Sequence, residues 1–226
     1  MLNERQMYIL RLLVKTYIET AHPVSSQYLL ERASLEVSPA TVRNDFALLE
    51  DEGYVTQPHT SAGRMPTIKG YQWYVQQLSQ EVEHARTYEK RMRTLMQKDV
   101  REQTRMLAAM TGETVVWIDG AGHIHYSGVS NLLSQPEFES EKLRSRVGEI
   151  FEGFDDMMHR LDERQVESLE YSVGDDQLLP SPDYGTVSLR LAKGEEQSMV
   201  VVLGPIRMNY EKATILLKLL RELHNE

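Results

Sequence analysis

Local sequence signals mark both ends of one short helix near the N-terminus. This helix limits the folds that the neighbouring segments can adopt. Ser38 stands where its side chain can accept a free N–H group of a helix's first turn, and Pro39 follows at the first helical position, where a missing N–H costs nothing. Gly53 then stops the segment. The sequence therefore predicts a helix from residue 39 to about Glu52.

The residues of this helix divide into two faces. Val42, Phe46 and Leu49 recur at i, i+4 and i+7, so they are expected to face a core. The outer side carries small and polar residues: Ala40, Thr41, Arg43, Asn44 and Ala47. Such a face suits the DNA major groove, where Asn pairs with adenine and Arg with guanine. A solvated helix face is the alternative if the helix is considered alone.

Two helices are predicted before this one. The first runs from about Glu4 to Thr20 and ends before Pro23, since the residue preceding a proline is pushed out of the α region. Its apolar stripe consists of Leu10, Leu13, Val14 and Tyr17. Ser25 is expected to cap the second helix, which continues through Leu30.

The residues after Gly53 predict a two-stranded wing. Two β-prone stretches flank a polar, glycine-containing tip, and Arg64 is expected to reach the DNA backbone or minor groove. Thr67 would cap a further helix from Ile68 to Leu78, whose first turn and Lys69 could touch phosphate. Ordinary surface charge is the alternative for Lys69. Three helices and a wing predict a winged helix-turn-helix DNA-binding domain over residues 1–75.

An overall charge of −9 argues against a nucleic-acid partner, because phosphates are bound by Lys and Arg. The acidity is unevenly distributed, however. Residues 1–75 contain seven Lys and Arg against eight acids, whereas the rest of the chain has 18 against 26. The acidity therefore belongs to the C-terminal two-thirds and does not forbid DNA binding by the first third.

Residues 76–110 are charged, free of proline and rich in helix-forming residues, which predicts a linker helix. A coiled coil with a second chain and packing on its own domain both remain open. Residues 111–226 predict an α+β domain with an antiparallel sheet and flanking helices. Strands are expected at 113–118, 123–126, 168–173, 186–192 and 198–203, with helices at 139–160 and 209–224 and a mobile loop at 174–185.

Other chemistries find little support in the residues. The chain has no cysteine, so thiolate catalysis and Cys-based metal sites are excluded. His123 and His125 share a strand face, but no third ligand is indicated and we predict no metal site. No phosphate-binding glycine loop or nucleophile elbow occurs, so we predict neither an enzyme nor a cofactor. No signal peptide or membrane span is evident, and we expect a cytoplasmic protein.

Two strings carry a resemblance to a known family. The run Ser-Pro-Ala-Thr-Val-Arg-Asn-Asp at 38–45 is followed by Gln-Pro-His-Thr-Ser-Ala-Gly-Arg-Met-Pro-Thr-Ile-Lys-Gly-Tyr at 57–71. Together they resemble the heat-inducible transcription repressors of the HrcA family, and the second string is long enough to be highly specific. The stretches 128–138 and 204–210 support the same family towards the C-terminus.

The resemblance implies a repressor of heat-shock operons that binds double-stranded DNA at an inverted-repeat operator as a homodimer. It further implies that heat inactivates the protein, that a GroEL-type chaperonin maintains its active form, and that residues 111–226 form a GAF-like sensor and dimerisation domain. Family members carry a large insertion, including a dimerisation segment, where this chain has only residues 119–122. The chain thus resembles a shortened member, which we expect to dimerise through the linker helix and the sheet domain.

The DNA-binding residues expected from the sequence fall into two groups. Bases are read by Thr41, Arg43 and Asn44, and phosphates or the minor groove are held by Ser38, His59, Thr60, Ser61, Arg64 and Lys69. Two other classes of function remain open. A winged-helix regulator of other genes could sense a small molecule through the GAF-like domain, and a protein interaction module would bind no DNA.

Overall fold

Two hydrophobic cores form in this chain, one within Met1–Gln77 and one within Leu78–Glu226. The computed structural model describes residues 2–33, 36–60, 62–81, 86–139, 148, 169–174, 182–193 and 196–226. Each unit has its own set of helices and its own sheet.

Side-chain caps set the three helices that open the first unit: α1 (Glu4–Thr20), α2 (Ser26–Arg32) and α3 (Pro39–Asp51). Asn3 accepts the Gln6 N–H at the start of α1, and the Gln6 side chain accepts the Asn3 N–H in return. Ser25 accepts from the Tyr28 N–H at 3.1 Å. The predicted starts of α2 and α3 are confirmed, because each is capped by the expected serine.

A small sheet follows α3. Strands β1 (Val55–Thr56) and β2 (Met65–Pro66) pair antiparallel, and α4 (Ile68–Glu81) begins directly after them. Val24, between α1 and α2, adds an antiparallel bridge to Arg64 through two backbone hydrogen bonds of 2.8 Å. Gly63 makes this approach possible, since a Cβ there would lie 2.3 Å from the Val24 carbonyl.

The core of the first unit is the apolar side of its helices. All the residues predicted to face inward from α3 are buried, and the described core also draws on α1, α2, β1 and α4: Ile9, Leu10, Leu13, Val14, Leu29, Val42, Phe46, Leu49, Val55, Tyr71, Tyr74 and Val75. Full burial of each large apolar side chain contributes roughly 1.5–3 kcal/mol. Packing of these residues therefore fixes how each helix is rotated about its axis.

The prediction of a single linker helix over 76–110 is wrong. The segment contains the end of α4, then α5 (Arg86–Leu95) and α6 (Val100–Thr111). Asp99 explains the break before α6, because its side chain accepts the Glu102 N–H at 2.9 Å as an N-cap. Met92 and Leu95 on α5 are buried, and α5 packs against α6 and the C-terminal helix. For α5 and α6, packing on their own domain is therefore the correct one of the two alternatives.

The second unit contains a five-stranded antiparallel sheet with the order β4-β3-β7-β6-β5. Its strands are β3 (Thr114–Ile118), β4 (Ile124–Ser127), β5 (Glu170–Val173), β6 (Tyr184–Lys193) and β7 (Glu196–Pro205). The expected hairpin of β3 and β4 and the later strands are confirmed. Mixed helices and antiparallel strands also confirm the α+β class at this level.

Helices cover this sheet. The C-terminal helix α8 (Tyr210–Asn225) begins with Asn209 as N-cap and contacts β6, while α6 contacts β3 and β4. A short helix α7 (Val129–Leu133) and a 3₁₀ turn (Pro136–Glu139) follow β4. The predicted helix at 139–160 lies outside the described residues, apart from its first residue and Gly148, and so does most of the loop expected at 174–185.

Two features are absent from the described residues. None of the helices there combines the length and the apolar character needed to cross a membrane. Across the same residues, no three His, Asp or Glu side chains are grouped so that they could hold a metal ion.

Glu113 is a buried carboxylate at the start of β3, 6% exposed. The Asn209 backbone hydrogen-bonds this side chain, but its Oε2 atom has no hydrogen-bond partner among the described residues. Gly204 leaves room for it, since a Cβ there would lie 2.5 Å from Oε2. Burial raises the pKa of Glu113 to about 7, against the opposing effect of the Asn209 hydrogen bond and the positive charge of Arg207.

We expect this raised pKa to make the second unit lose stability as pH rises. Between pH 4.5 and about 7 the folded state keeps a proton on Glu113 that the unfolded chain releases, so the free energy of unfolding falls across this window and levels off above it. The loss should be at most about 3 kcal/mol. Urea unfolding of wild type and Glu113→Gln at several pH values measures it. A difference between the two proteins that stays constant from pH 4.5 to 7 would contradict the assignment.

Candidate nucleic-acid interface

An ion pair between a buried carboxylate and a partly exposed arginine holds α3 in place from its inner side. Asp45 is 1% exposed, and its carboxylate accepts two hydrogen bonds from Arg5 on α1, Nε to Oδ2 at 2.8 Å and Nη2 to Oδ1 at 3.1 Å. The bidentate geometry fixes both side chains in orientation. Sequence periodicity missed Asp45, because an acid between Asn44 and Phe46 carries no signal that its partner is forty positions away.

The outer side of α3 presents the residues expected to read bases. Ala40, Arg43, Asn44 and Ala47 are exposed, and Thr41 is half-exposed. Among the described residues, Arg43 is the one cation of the first unit that makes no hydrogen bond or ion pair, and Asn44 beside it also makes none. The exposed face therefore offers an unpaired guanidinium next to an unpaired amide.

Leu48 extends the exposed face of α3 by one turn, and sequence reasoning did not single it out. Its side chain is 49% exposed, on the same side of the helix as Asn44 four residues earlier. An apolar side chain at this place can contact a thymine methyl group. The sequence signal that could have identified Leu48 is its position four residues after Asn44.

Ser38 and Thr41 form the N-terminal cap of α3. The Ser38 Oγ atom accepts the Thr41 N–H at 3.1 Å and lies 2.9 Å from the Thr41 hydroxyl. Both side chains therefore stand at the positively polarised end of the helix, which favours a nearby anion. In the structure, the hydrogen bonds of these two side chains stabilise the start of α3.

The tip of the predicted wing lies between β1 and β2. His59 and Thr60 are exposed, and the Ala62 N–H donates to the His59 carbonyl at 2.8 Å to close a turn. Gln57 braces this turn from inside, since its Nε2 atom donates to the Thr60 and Ala62 carbonyls at 3.0 and 2.9 Å. Ser61, also expected to contact DNA, lies outside the described residues.

Arg64 is not a free cation at the wing tip. Its side chain is 17% exposed, and its Nη2 atom lies 2.9 Å from the Glu50 carboxylate. The Arg64 backbone is meanwhile paired with Val24. The sequence placed this residue in the wing but gave no sign of the ion pair.

Lys69 is likewise engaged. Its ammonium donates to the Glu52 carbonyl at the end of α3, at 2.6 Å, and lies 4.3 Å from the centre of the Tyr54 ring. Both contacts suit a cation, since a helix C-terminus is negatively polarised and an aromatic face attracts positive charge. Thr67 caps α4 as expected, accepting the Gly70 N–H at 3.2 Å.

The hairpin histidines have a structural explanation. The Asp119 carboxylate accepts the Ala121 and His123 N–H groups at 3.0 and 2.9 Å and lies 3.2 Å from the ring nitrogens of His123 and His125. Burial raises the pKa of Asp119, but these hydrogen bonds outweigh burial and hold it at about 2. The Asp119 carboxylate therefore stabilises the turn between β3 and β4.

Comparisons with known proteins agree with each other. The family model described as "HrcA protein C terminal domain" matches residues 72–214. A protein of Acidothermus cellulolyticus named heat-inducible transcription repressor HrcA is 60% identical over 79 residues, which are 35% of this chain and 23% of that protein. One of the same name from Nocardioides is 47% identical over 123 residues, which are 51% of this chain and 36% of that protein. The chain thus covers well under half of these relatives.

A solved structure also matches along the length of the chain. It is described as a hypothetical protein, and it matches with a TM-score of 0.77 at 20% identity, covering 100% of this chain and 99% of that chain. At this identity the likeness carries the fold alone.

We expect Arg5, whose acidic partner is buried, to matter more to stability than a similarly exposed arginine whose acidic partner is exposed. Arg5→Ala strands the buried Asp45 carboxylate without its partner, so it should lower the Tm of the first unit by several degrees. Arg32→Ala is the matched control, because Arg32 and its partner Glu19 are both about 40% exposed and such pairs contribute little. Thermal unfolding followed by circular dichroism compares them, and equal effects would refute a special role for the Arg5–Asp45 pair.

Proposed function

Since the chain belongs to the HrcA family, we propose that it is a transcription repressor of heat-shock genes that binds double-stranded DNA. The observation that carries the proposal is the pair Arg43 and Asn44, exposed and unengaged on a helix whose inner face is locked into a core. Relatives bearing the repressor name match over part of their length, and their name supports the same activity.

We propose that the first unit is a winged helix with α3 as its recognition helix. Helix-turn-helix proteins place the N-terminal residues of that helix against base edges. Thr41, Arg43 and Asn44 all lie within its first two turns, and small Ala40 and Ala47 beside them allow close approach. Arg43 suits guanine and Asn44 suits adenine through paired hydrogen bonds.

The wing and the helix ends would contact the backbone. His59, Thr60 and Ser61 are the proposed tip contacts, and Ser38 adds the cap of α3. Arg64 and Lys69 stay within the proposed interface, but each is already bound to α3, through Glu50 and the Glu52 carbonyl. A phosphate contact by either one requires that it share or leave that partner. The cation most available to DNA is therefore Arg43.

We expect Asn44→Ala to weaken binding to the specific operator by about 1–3 kcal/mol and to change binding to random DNA little. The operator is first isolated by capturing genomic fragments with the full chain, and an inverted repeat should emerge. Asn225→Ala is the matched control, because it makes the same chemical change at an exposed position in the other unit. Equal losses on operator and random DNA would refute base reading by Asn44.

We also propose a homodimer, because an inverted repeat is best matched by a two-fold protein. With α5 packed on its own unit, the better surface is the β4 edge of the described sheet. Ile124 and Tyr126 on β4 and Leu133 on α7 are 38%, 62% and 44% exposed. Edge strands offer unpaired N–H and C=O groups to a second strand.

Light scattering should give the full chain twice its monomer mass, and Tyr126→Lys should shift it to the monomer. A lysine at the edge opposes pairing with a second copy. Tyr8→Lys is the control, since Tyr8 is also exposed, at 47%, but lies on α1. A monomer in the wild type, both free and on the full operator, would exclude the dimer.

The response to heat is proposed to be a local loss of stability in the second unit, not a chemical reaction. Support by a GroEL-type chaperonin rests on the family resemblance. Both belong to the same proposal, in which temperature controls the fraction of protein able to bind DNA.

A further inference from the structure

Glu50 occupies an unexpected place for an acid in a DNA-binding unit. It lies in the last turn of α3, beside the wing, with its side chain 35% exposed. A carboxylate near phosphates is electrostatically unfavourable, so an acid here calls for a compensating role. Its contacts supply one.

The two carboxylate oxygens of Glu50 bind both sides of the wing. Oε1 accepts the backbone N–H of Gln57, which follows β1, at 3.1 Å. Oε2 pairs with Arg64, which precedes β2, at 2.9 Å. One side chain thus ties the outgoing and the returning segments of the wing to α3.

Each of these two partners also binds another segment of the first unit. Gln57 holds the tip turn through its two side-chain hydrogen bonds to the Thr60 and Ala62 carbonyls. Arg64 is joined by its backbone to Val24, where Gly63 allows contact at a distance that no Cβ would permit. The wing is therefore connected through Glu50 to α3 and through Arg64 to the α1–α2 segment.

We propose that Glu50 is a positioning residue that sets the wing relative to α3 for DNA binding. The inference rests on the proposed DNA-binding function. Both parts must meet one duplex at once, and a wing held in place before binding loses less conformational freedom on contact. Glu50 contributes by fixing the wing and contacts no DNA itself.

The sign of a charge-removing substitution separates this role from plain electrostatics. If Glu50 acted only as a negative charge, its removal would tighten DNA binding, because repulsion from phosphate would fall. If it positions the wing, its removal weakens binding despite that gain. Asp51 provides the matched control, since it is the next residue of α3, exposed, and carries the same charge.

The experiment measures binding of the full chain to the captured operator and to a random duplex of equal length at one salt concentration. Glu50→Gln keeps an acceptor for Gln57 but loses the ion pair, and we expect operator binding at least about tenfold weaker. Asp51→Asn should bind equally or more tightly. Glu50→Asp keeps the charge while shortening the reach, and it should also weaken operator binding.

A second readout needs no DNA. Hydrogen exchange of residues 55–64 should be faster in Glu50→Gln than in wild type, while the core amides of α1 and α3 keep their protection and show that the unit is folded. Operator binding by Glu50→Gln as tight as wild type, or unchanged exchange in the wing, would overturn the positioning role. Wild-type protein that binds no DNA in a salt-dependent manner would instead overturn the proposed function, whatever the exchange result.

Discussion

The rotation of α3 about its axis is the constraint on which the proposed interface depends. Three apolar side chains and the Asp45 carboxylate fix the inner face, and the Arg5 fork holds that carboxylate from α1. A helix rotated by one residue would bury Asn44 and expose Asp45, which would lose its partner. Because that rotation would also bury the Asn44 amide without a partner and expose apolar side chains of the inner face, the orientation that exposes Arg43 and Asn44 is preferred.

The proposed wing depends on α3 in turn. Glu50, Arg64 and Lys69 all act between the C-terminal end of α3 and the segment that follows it, and each uses a charge inside the protein. This arrangement explains why counting charges along the first unit says little about DNA binding. Most of the cations there are bound to protein, and the residue with its charge still available, among those described, is Arg43.

The second unit is organised by its sheet and by one buried acid. Long strands β6 and β7 pair over ten residues each, and Glu113 enters the core beside them with a pKa near neutrality. A group that titrates there makes the stability of this unit depend on pH. Tyr210, whose pKa is raised by burial and by the Glu113 charge, lies in the same region.

The sequence by itself determined the elements whose signals are local. Ser25, Ser38, Thr67 and Asn209 begin helices through bonds to residues three positions on, so their effect is visible in the chain. Tertiary structure decided the rest, because it brings together residues far apart in sequence. Arg5 with Asp45, Glu50 with Arg64, and Glu52 with Lys69 are pairs of this kind, and so is the strand order β4-β3-β7-β6-β5. Composition identifies a cation, but only the fold decides whether its charge faces a protein carboxylate or solvent.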